Sequence, residues 1–432
     1  MEKKTLRIDY LSRVEGEAGV YAEISADRVK VELRVFEAPR FFESFLRGRS
    51  HQDIVDFTAR ICGICPVAYQ MSAVHSIEKI FGIEIDGRIR QLRRLFYAAE
   101  WIESHSLHVY LLQGPDFYGA GSAWENRAYL PFAKRGLAFK KLGNSLMAMI
   151  GARPVHPVSA RVGGFYKTPR KKHLTALLSE LERAYEQSLS AISWAAGLPF
   201  NSALSGDSAA WDFEYISLRH PNEYPMNEGR VVSNKGLDES MDSFAGITKE
   251  YQTEYSNTLH SNIQRDGEKT SYLVGPLARI NLNSGLLPSE IINAMKESGV
   301  AIPIKNVEMG IIARSVEIAY AFHEAIRIIK GYEEAGPDAA CDFKTRSGTA
   351  TWITEAPRGM LIHHYTLDDG GHVENCVIIP PTAQNAAHIE RSLHNYLRRN
   401  AEKSLESLEK GCEKIIRSYD PCISCSVHLV KM

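Results

Sequence analysis

This 432-residue chain lacks the features that mark a nucleic-acid or membrane partner. Lys+Arg total 51 and Asp+Glu 52, a net charge of −1. That balance gives no electrostatic reason to expect nucleic acid or an anionic membrane surface. No run of about 18 uninterrupted apolar residues occurs, so no membrane span is expected. The opening MEKKTLRIDYLSRVEGE has charges but no apolar core segment, so it does not read as a signal peptide. A soluble, cytoplasmic protein is expected. Repeats, low-complexity tracts and linkers are also missing. Cysteine is sparse at seven, an odd number, which argues against a disulfide framework. The chain is 44% hydrophobic, ample for a large core.

The apolar pattern changes along the chain. Residues 5–37 alternate apolar and polar side chains, the period of a small sheet. Residues 50–112 turn helical, with Asp86 and Gly87 near the start of one long helix. Helical spacing returns over 129–150, 170–197, 288–299 and 306–331. Residues 200–270 are mixed and polar, with short strand-like pieces. ATWITEAPRGMLIHHYTLDDGGHVENCVIIP reads as two strands joined at Asp369, Gly370 and Gly371. Residues 385–418 read as one long helix. The expectation is one α+β domain over 1–432, with helices at the centre and small sheets at the periphery. Its parts are a β region to about residue 50, a mainly helical core 51–345, a β region 346–384, and a helix with its tail, 385–432.

Four of the seven cysteines form two C-x-x-C pairs, Cys62 with Cys65 and Cys422 with Cys425, 360 residues apart. A C-x-x-C turn brings two sulfurs close enough to grip one metal, and two turns make a four-thiolate site. Thiolates select soft or borderline ions such as zinc, nickel and iron. Spacing alone leaves open a structural zinc site, a redox pair, or four unrelated buried thiols.

The flanking residues separate these readings. Arg60-Ile-Cys62-Gly-Ile-Cys65, with Asp420-Pro-Cys422-x-x-Cys425-x-x-His428, resembles the double signature of the nickel–iron hydrogenase large subunit. The resemblance continues through RVEGE, FFESFLRGR, SHSLHVYLLQGPDF, HPVSARVGGF, YLVGPLARIN and EAPRG, and covers essentially the whole chain. VYLLQGPDF, PVAYQMSAVH and DPCISCSVH look like the large chain of archaeal NAD(P)-linked hydrogenases, also called sulfhydrogenases. The quinone-binding subunit of respiratory complex I shares the fold but lacks the cysteines, and all four are here.

The resemblance implies the hydrogenase large-subunit fold, a central long-helix bundle with small β-sheets around it. It implies reversible heterolytic cleavage of H2. The cofactor would be nickel bridged to an iron carrying carbon monoxide and two cyanides. Cys65 and Cys425 would bridge the metals, and Cys62 and Cys422 would be terminal nickel ligands. Arg358 would position H2 and bond a cyanide. Glu15 would relay protons, as could the Cys422 thiolate. Asp116 and Asp420 would hold the arginine. Pro357 and Pro381 would wall the iron ligands, and the Thr382 hydroxyl would bond a cyanide. Glu43, the carbonyl of Ile378 and His428 would hold magnesium. Tyr69 departs from the family, where histidine commonly stands. Cys341, Cys376 and Cys412 match no ligand position and read as ordinary thiols. His105 and His108, one helical turn apart, read as packing residues. His363 and His364 read as strand-borne, structural or behind the arginine.

No spare cysteines at iron–sulfur spacing remain, and no G-x-G-x-x-G follows a strand. Iron–sulfur clusters and FAD are therefore expected on other chains. These are a small iron–sulfur subunit, a flavin/NAD(P)-binding subunit, and a further iron–sulfur subunit, together a heterotetramer. The resemblance also implies polysulfide reduction as a side activity. A maturation endopeptidase would cleave after His428 and release Leu429–Met432. The competing reading is a zinc-holding or metal-free scaffold within a redox complex.

Overall fold

Long helices pack at the centre of the computed structural model, which describes residues 3–201, 213–265, 267–336 and 339–427. Helix Gly87–Leu107 starts where the Asp86 side chain accepts the Arg88 N–H at 2.6 Å. It lies between helices Leu130–Gly151 and Gly310–Lys330, and the latter also packs on Leu178–Ala196. Gly143 permits the first of these contacts. A Cβ there would stand 2.7 Å from the Glu103 nitrogen and 2.8 Å from the Ala99 carbonyl. Helix Pro66–Phe81 is buried on almost every side, as its all-round apolar and small residues require.

The sheets are small and antiparallel, and lie around the helices. Lys4–Ile8, Ala18–Ile24 and Val29–Val35 form a meander, with Leu6 opposite Ala22. Two further three-stranded sheets lie between Ile216 and Thr270. A fourth, Gly348–Ala356, Gly359–Leu367 and Val373–Ile379, shares a second apolar core with them through Ile216, Val231, Phe244, Tyr272, Ile353 and Met360. Among the described residues no helix is long and apolar enough to cross a membrane.

Three sequence expectations are corrected. The stretch expected as two strands is three. Ala356 pairs with Gly359, which leaves Pro357 and Arg358 as a two-residue turn. This turn carries no Asn-Gly or Asp-Gly signal; proline supplies its fixed φ instead. The Asp369–Gly371 turn joins the second and third strands. The helix expected over 385–418 is two, Pro381–Arg399 and Leu405–Tyr419. Ser404 starts the second by accepting the Ser407 N–H at 3.3 Å. The helix expected over 170–197 is likewise two, Lys171–Thr175 and Leu178–Ala196.

Candidate metal centre

The first cysteine turn sits on a helix N-terminus. Cys65 precedes Pro66, the first residue of helix Pro66–Phe81, a position where proline loses no hydrogen bond. The Cys62 sulfur accepts the N–H groups of Ile64 and Cys65, both at 3.3 Å, and so closes the turn. The next two N–H groups, of Val67 and Ala68, go to the Glu100 carboxylate at 2.6 and 3.2 Å. Those donors would otherwise be orphaned in the core. Burial pushes the Glu100 carboxyl well above its ordinary range.

The second turn is held by other segments. Helix Leu405–Tyr419 ends at Asp420 in the left-handed region (φ 56°), and Pro421 prevents its continuation. The chain then runs inward. Ile423 N–H donates to the Glu15 carbonyl at 2.9 Å, and Cys422 N–H donates to Thr382 Oγ1 at 2.9 Å. Thr258 Oγ1 donates to the Ser426 carbonyl at 3.1 Å. Arg40 donates its backbone N–H to Val427 and its guanidinium to the carbonyls of Ser424 and Ile61, thus joining the two cysteine turns. Gly16 makes the approach possible: its φ is 88°, and a Cβ there would stand 2.6 Å from the Ile423 Cβ.

The four sulfurs converge, all buried and within 4.8 Å of one another. Cys62 Sγ lies 3.6 Å from Cys422 Sγ, Cys65 Sγ lies 3.8 Å from Cys425 Sγ, and Cys422 and Cys425 are 2.7 Å apart. Hydrogen bonds from Cys422, Cys425 and Cys65 hold the Cys62 thiol well below its ordinary range, while burial pushes Cys422 up. Without a cation only part of such a cluster can ionise. The donor set therefore fits soft divalent metal, which deprotonates coordinating thiols outright.

Arg358 stands beside the sulfurs at the tip of its two-residue turn. Its Nε donates to the Asp420 carbonyl at 2.8 Å and its Nη2 to Asp420 Oδ1 at 3.2 Å. Nη1 is buried and has no hydrogen-bond partner among the described residues. Burial disfavours the charge, but Asp420 and the thiols of Cys422, Cys65 and Cys62 outweigh it, and the guanidinium stays protonated. A buried, charged, unsatisfied donor beside four thiols fits a bound group that brings acceptors of its own.

Glu15 lies against the second turn. Its Oε2 accepts Cys422 Sγ and Ser424 N–H, each at 3.1 Å, and its Oε1 accepts the Ser424 hydroxyl. Asp420 holds Arg358, but Asp116 does not. Asp116 instead binds Arg13 Nη2 at 2.5 Å and Arg417 Nε and Nη2 at 2.7 and 2.9 Å. Arg13 and Arg417 together take up both oxygens of Asp116, which lies in the tight turn Gly114–Tyr118. The second cation near Asp420 is Arg314, 3.9 Å from Oδ2.

Pro381 opens helix Pro381–Arg399, where Thr382 meets Cys422. The Pro357 carbonyl accepts from Arg279. Glu43 and Ile378 are brought together, through the Ile378 N–H, which donates to Glu43 Oε1 at 2.6 Å. His428 lies outside the described residues. Tyr69 is buried with its ring 5.7 Å from that of His363, and burial among the thiols raises its pKa well above the ordinary value. His363 Nδ1 lies 3.0 Å from the Tyr365 hydroxyl, and His364 Nδ1 lies 2.9 Å from Thr351 Oγ1. His105 lies 3.0 Å from Glu317, and His108 lies 2.6 Å from the Arg417 carbonyl. Cys376 and Cys412 are buried and Cys341 partly so, all outside the four-sulfur group.

Sequence reasoning missed Glu100, Arg40 and Arg279. Arg279 is fully buried and donates to Glu317, Glu355 and the carbonyls of Ala356 and Pro357. In the sequence it is one charged residue in the GPLARIN stretch, and nothing local marks the carbonyls it serves.

Comparison with known proteins places these features in a family. A family model described as nickel-dependent hydrogenase matches residues 40–133 and 269–428. The alpha chain of sulfhydrogenase 2 from Pyrococcus furiosus is 31% identical over 436 residues, covering 99% of this chain and 100% of that protein. The corresponding chain of sulfhydrogenase 1 from the same organism is 30% identical over 431 residues, covering 99% and 98%. A solved structure of an NAD+-reducing [NiFe]-hydrogenase in the H2-reduced state superposes with a TM-score of 0.88 at 23% identity, covering 98% of this chain and 99% of that one. On its four converging cysteines, its fold and these matches, the chain belongs to the nickel-dependent hydrogenase family.

Proposed function

We propose that this chain is the H2-splitting component of a cytoplasmic nickel–iron hydrogenase complex. The observation that carries this is the meeting of four buried thiols beside a protonated arginine with an unsatisfied donor. A zinc-holding scaffold would share the sulfurs. It would have no use for that donor, or for a carboxylate on a cysteine sulfur.

In this reading Cys65 and Cys425 would hold both metals, and Cys62 and Cys422 would hold nickel. A bound nickel–iron pair, its iron carrying carbon monoxide and two cyanides, supplies the Lewis acidity and electron uptake for heterolytic H2 cleavage. Arg358, kept charged by Asp420, would orient H2, and its Nη1 would be free to donate to a cyanide. Thr382 Oγ1 accepts from Cys422 N–H, which leaves its own proton for another acceptor. Pro357 and Pro381 present no N–H and wall the iron side. The Cys422 sulfur takes the proton and passes it to Glu15 Oε2, 3.1 Å away. Ser424, bonded to the same carboxylate, steadies Glu15. Asp116 acts at one remove, by fixing Arg13 in the loop that carries Glu15.

Magnesium would be held by Glu43, the carbonyl of Ile378 and His428. The reading is supported by Arg40, three residues before Glu43, which binds Val427. The family match ends at residue 428, in keeping with an endopeptidase that removes Leu429–Met432. Electrons leave through a small iron–sulfur subunit to a flavin/NAD(P) subunit, with a further iron–sulfur subunit in the same path. Polysulfide is an alternative acceptor, in line with the sulfhydrogenase relatives.

Anaerobic purification of the complex tests the proposal. One nickel per chain and H2/D+ exchange are expected; zinc alone without exchange would refute it.

A further inference from the structure

We propose that Arg279 is a positioning residue for Arg358, holding the turn from which Arg358 reaches the metal centre. This rests on the hydrogenase reading above. Arg358 occupies the second place of a two-residue turn between Ala356 and Gly359. The two carbonyls just before it both accept from one side chain: Arg279 Nη1 donates to the Ala356 carbonyl and Nη2 to the Pro357 carbonyl, each at 2.9 Å.

Arg279 is itself fixed. Its Nε and Nη2 reach Glu317 Oε1 and Oε2 at 2.7 and 2.8 Å, and Nη1 reaches Glu355 Oε2 at 2.8 Å. The guanidinium lies 4.4 Å over the Trp101 ring, and Trp101 Nε1 donates to the Glu355 carbonyl at 3.1 Å. Tyr224 donates to Glu317 at 2.8 Å. Arg279 pulls the Glu317 carboxyl down to about 2 against the effect of burial, so the anion persists. The helix bearing Arg279, Pro276–Asn283, also begins against the turn. A Cβ on Gly275, whose φ is 109°, would stand 2.6 Å from the Arg358 carbonyl.

Among the described residues, the Arg279 guanidinium bonds two glutamates and two carbonyls and lies over an indole face, and none of these partners is a cysteine sulfur, Asp420 or the Arg358 guanidinium. Its effect on chemistry must therefore pass through the turn. A planar five-donor fork can hold two carboxylates and two carbonyls at once; an ammonium has three donors and cannot reproduce the fork.

The test is a double-mutant cycle in the assembled holo-complex: Arg279→Lys, Arg358→Lys and both together. Nickel content, H2/D+ exchange and the infrared bands of the iron's diatomic ligands are read for each. Arg279→Lys is expected to keep nickel, shift the bands and slow exchange about 10- to 100-fold, the scale of a 1 Å misplacement, in kcat more than KM. In the Arg358→Lys background the same change is expected to move neither bands nor exchange by more than about twofold. Independent, multiplying losses would overturn the proposal, as would unchanged bands in Arg279→Lys. Should Arg279→Lys fail to assemble, Trp101→Phe removes the bond to the Glu355 carbonyl and keeps an aromatic face. The same cycle with it is expected to show a smaller loss that again vanishes without Arg358, and multiplying losses would again overturn the proposal. A parent complex without nickel or exchange would instead refute the hydrogenase reading.

Discussion

The two cysteine turns carry the same spacing but are built differently. Cys62 and Cys65 stand on the N-terminus of a buried helix, with Glu100 from a neighbouring helix accepting its first free N–H groups. Their position follows from the core. Cys422 and Cys425 stand on a short tail held by Glu15, Arg40, Thr258 and Thr382, from four segments far apart in sequence. Their position follows from a set of separate hydrogen bonds. Both turns are buried in one core, but the first is set by a helix N-terminus and the second by hydrogen bonds from separate segments.

Substitutions at the two turns should therefore fail in different ways. The largest effect falls on a sulfur of the second turn. Cys425→Ala is expected to abolish nickel retention and H2/D+ exchange together; elemental analysis checks the first and mass spectrometry of the gas the second. Glu15→Gln comes next. It keeps the shape that receives Cys422 and Ser424 but cannot take a proton. Exchange is expected to fall by about 10²- to 10⁴-fold with nickel unchanged. Unchanged exchange would remove Glu15 from the proton path.

A third pair separates the two turns directly. Glu100→Leu leaves the Val67 and Ala68 N–H groups unpaired in the core, and about 1–3 kcal/mol of global stability is expected to go with them. Thr382→Val leaves the Cys422 N–H unpaired at a similar scale, about 1–3 kcal/mol. There the loss should appear as faster hydrogen exchange confined to the tail amides, with the denaturation midpoint little changed. Equal global losses would erase the distinction between the two turns.

The smallest effect is one of pH on the core side. Burial holds His105 down to about 4, against an ordinary 6.5, and Arg279 holds Glu317 near 2, against 4.5. Both shifts are downward. His105's contribution is complete above about 6.5 and fades as pH falls toward 4, and Glu317's is complete above about 4.5 and fades toward 2. Denaturation midpoints should fall on acidification from about pH 6.5, and Glu317→Gln should flatten the part below 4.5.

The legible parts of the site were those written in adjacent residues. C-x-x-C spacing, Pro-Arg-Gly and Asp-Pro-Cys each occupy one turn, so sequence spacing is spatial spacing. Each cysteine pair could be read from its spacing, while Asp420 beside Arg358, 62 residues away, was legible only through the family resemblance. Asp116 could not be read, because its choice among Arg13, Arg417 and Arg358 is made by tertiary packing. The Pro357–Arg358 turn was hidden inside a run of strand-forming residues, so three strands read as two. The break at Asn400–Ser404 was hidden by helical spacing on both sides of it. Glu100 and Arg279 were invisible for a further reason: each serves backbone groups of a segment far off in the chain, and that leaves no local pattern.

The central claim is that the two turns together hold a nickel–iron pair. Infrared spectroscopy of the anaerobically isolated complex tests it most directly, since protein has no strong absorption where metal-bound carbon monoxide and cyanide absorb. One carbon monoxide band and two cyanide bands, all lost in Cys425→Ala, are the expected result. An empty spectrum from a complex whose four cysteines hold zinc would contradict it.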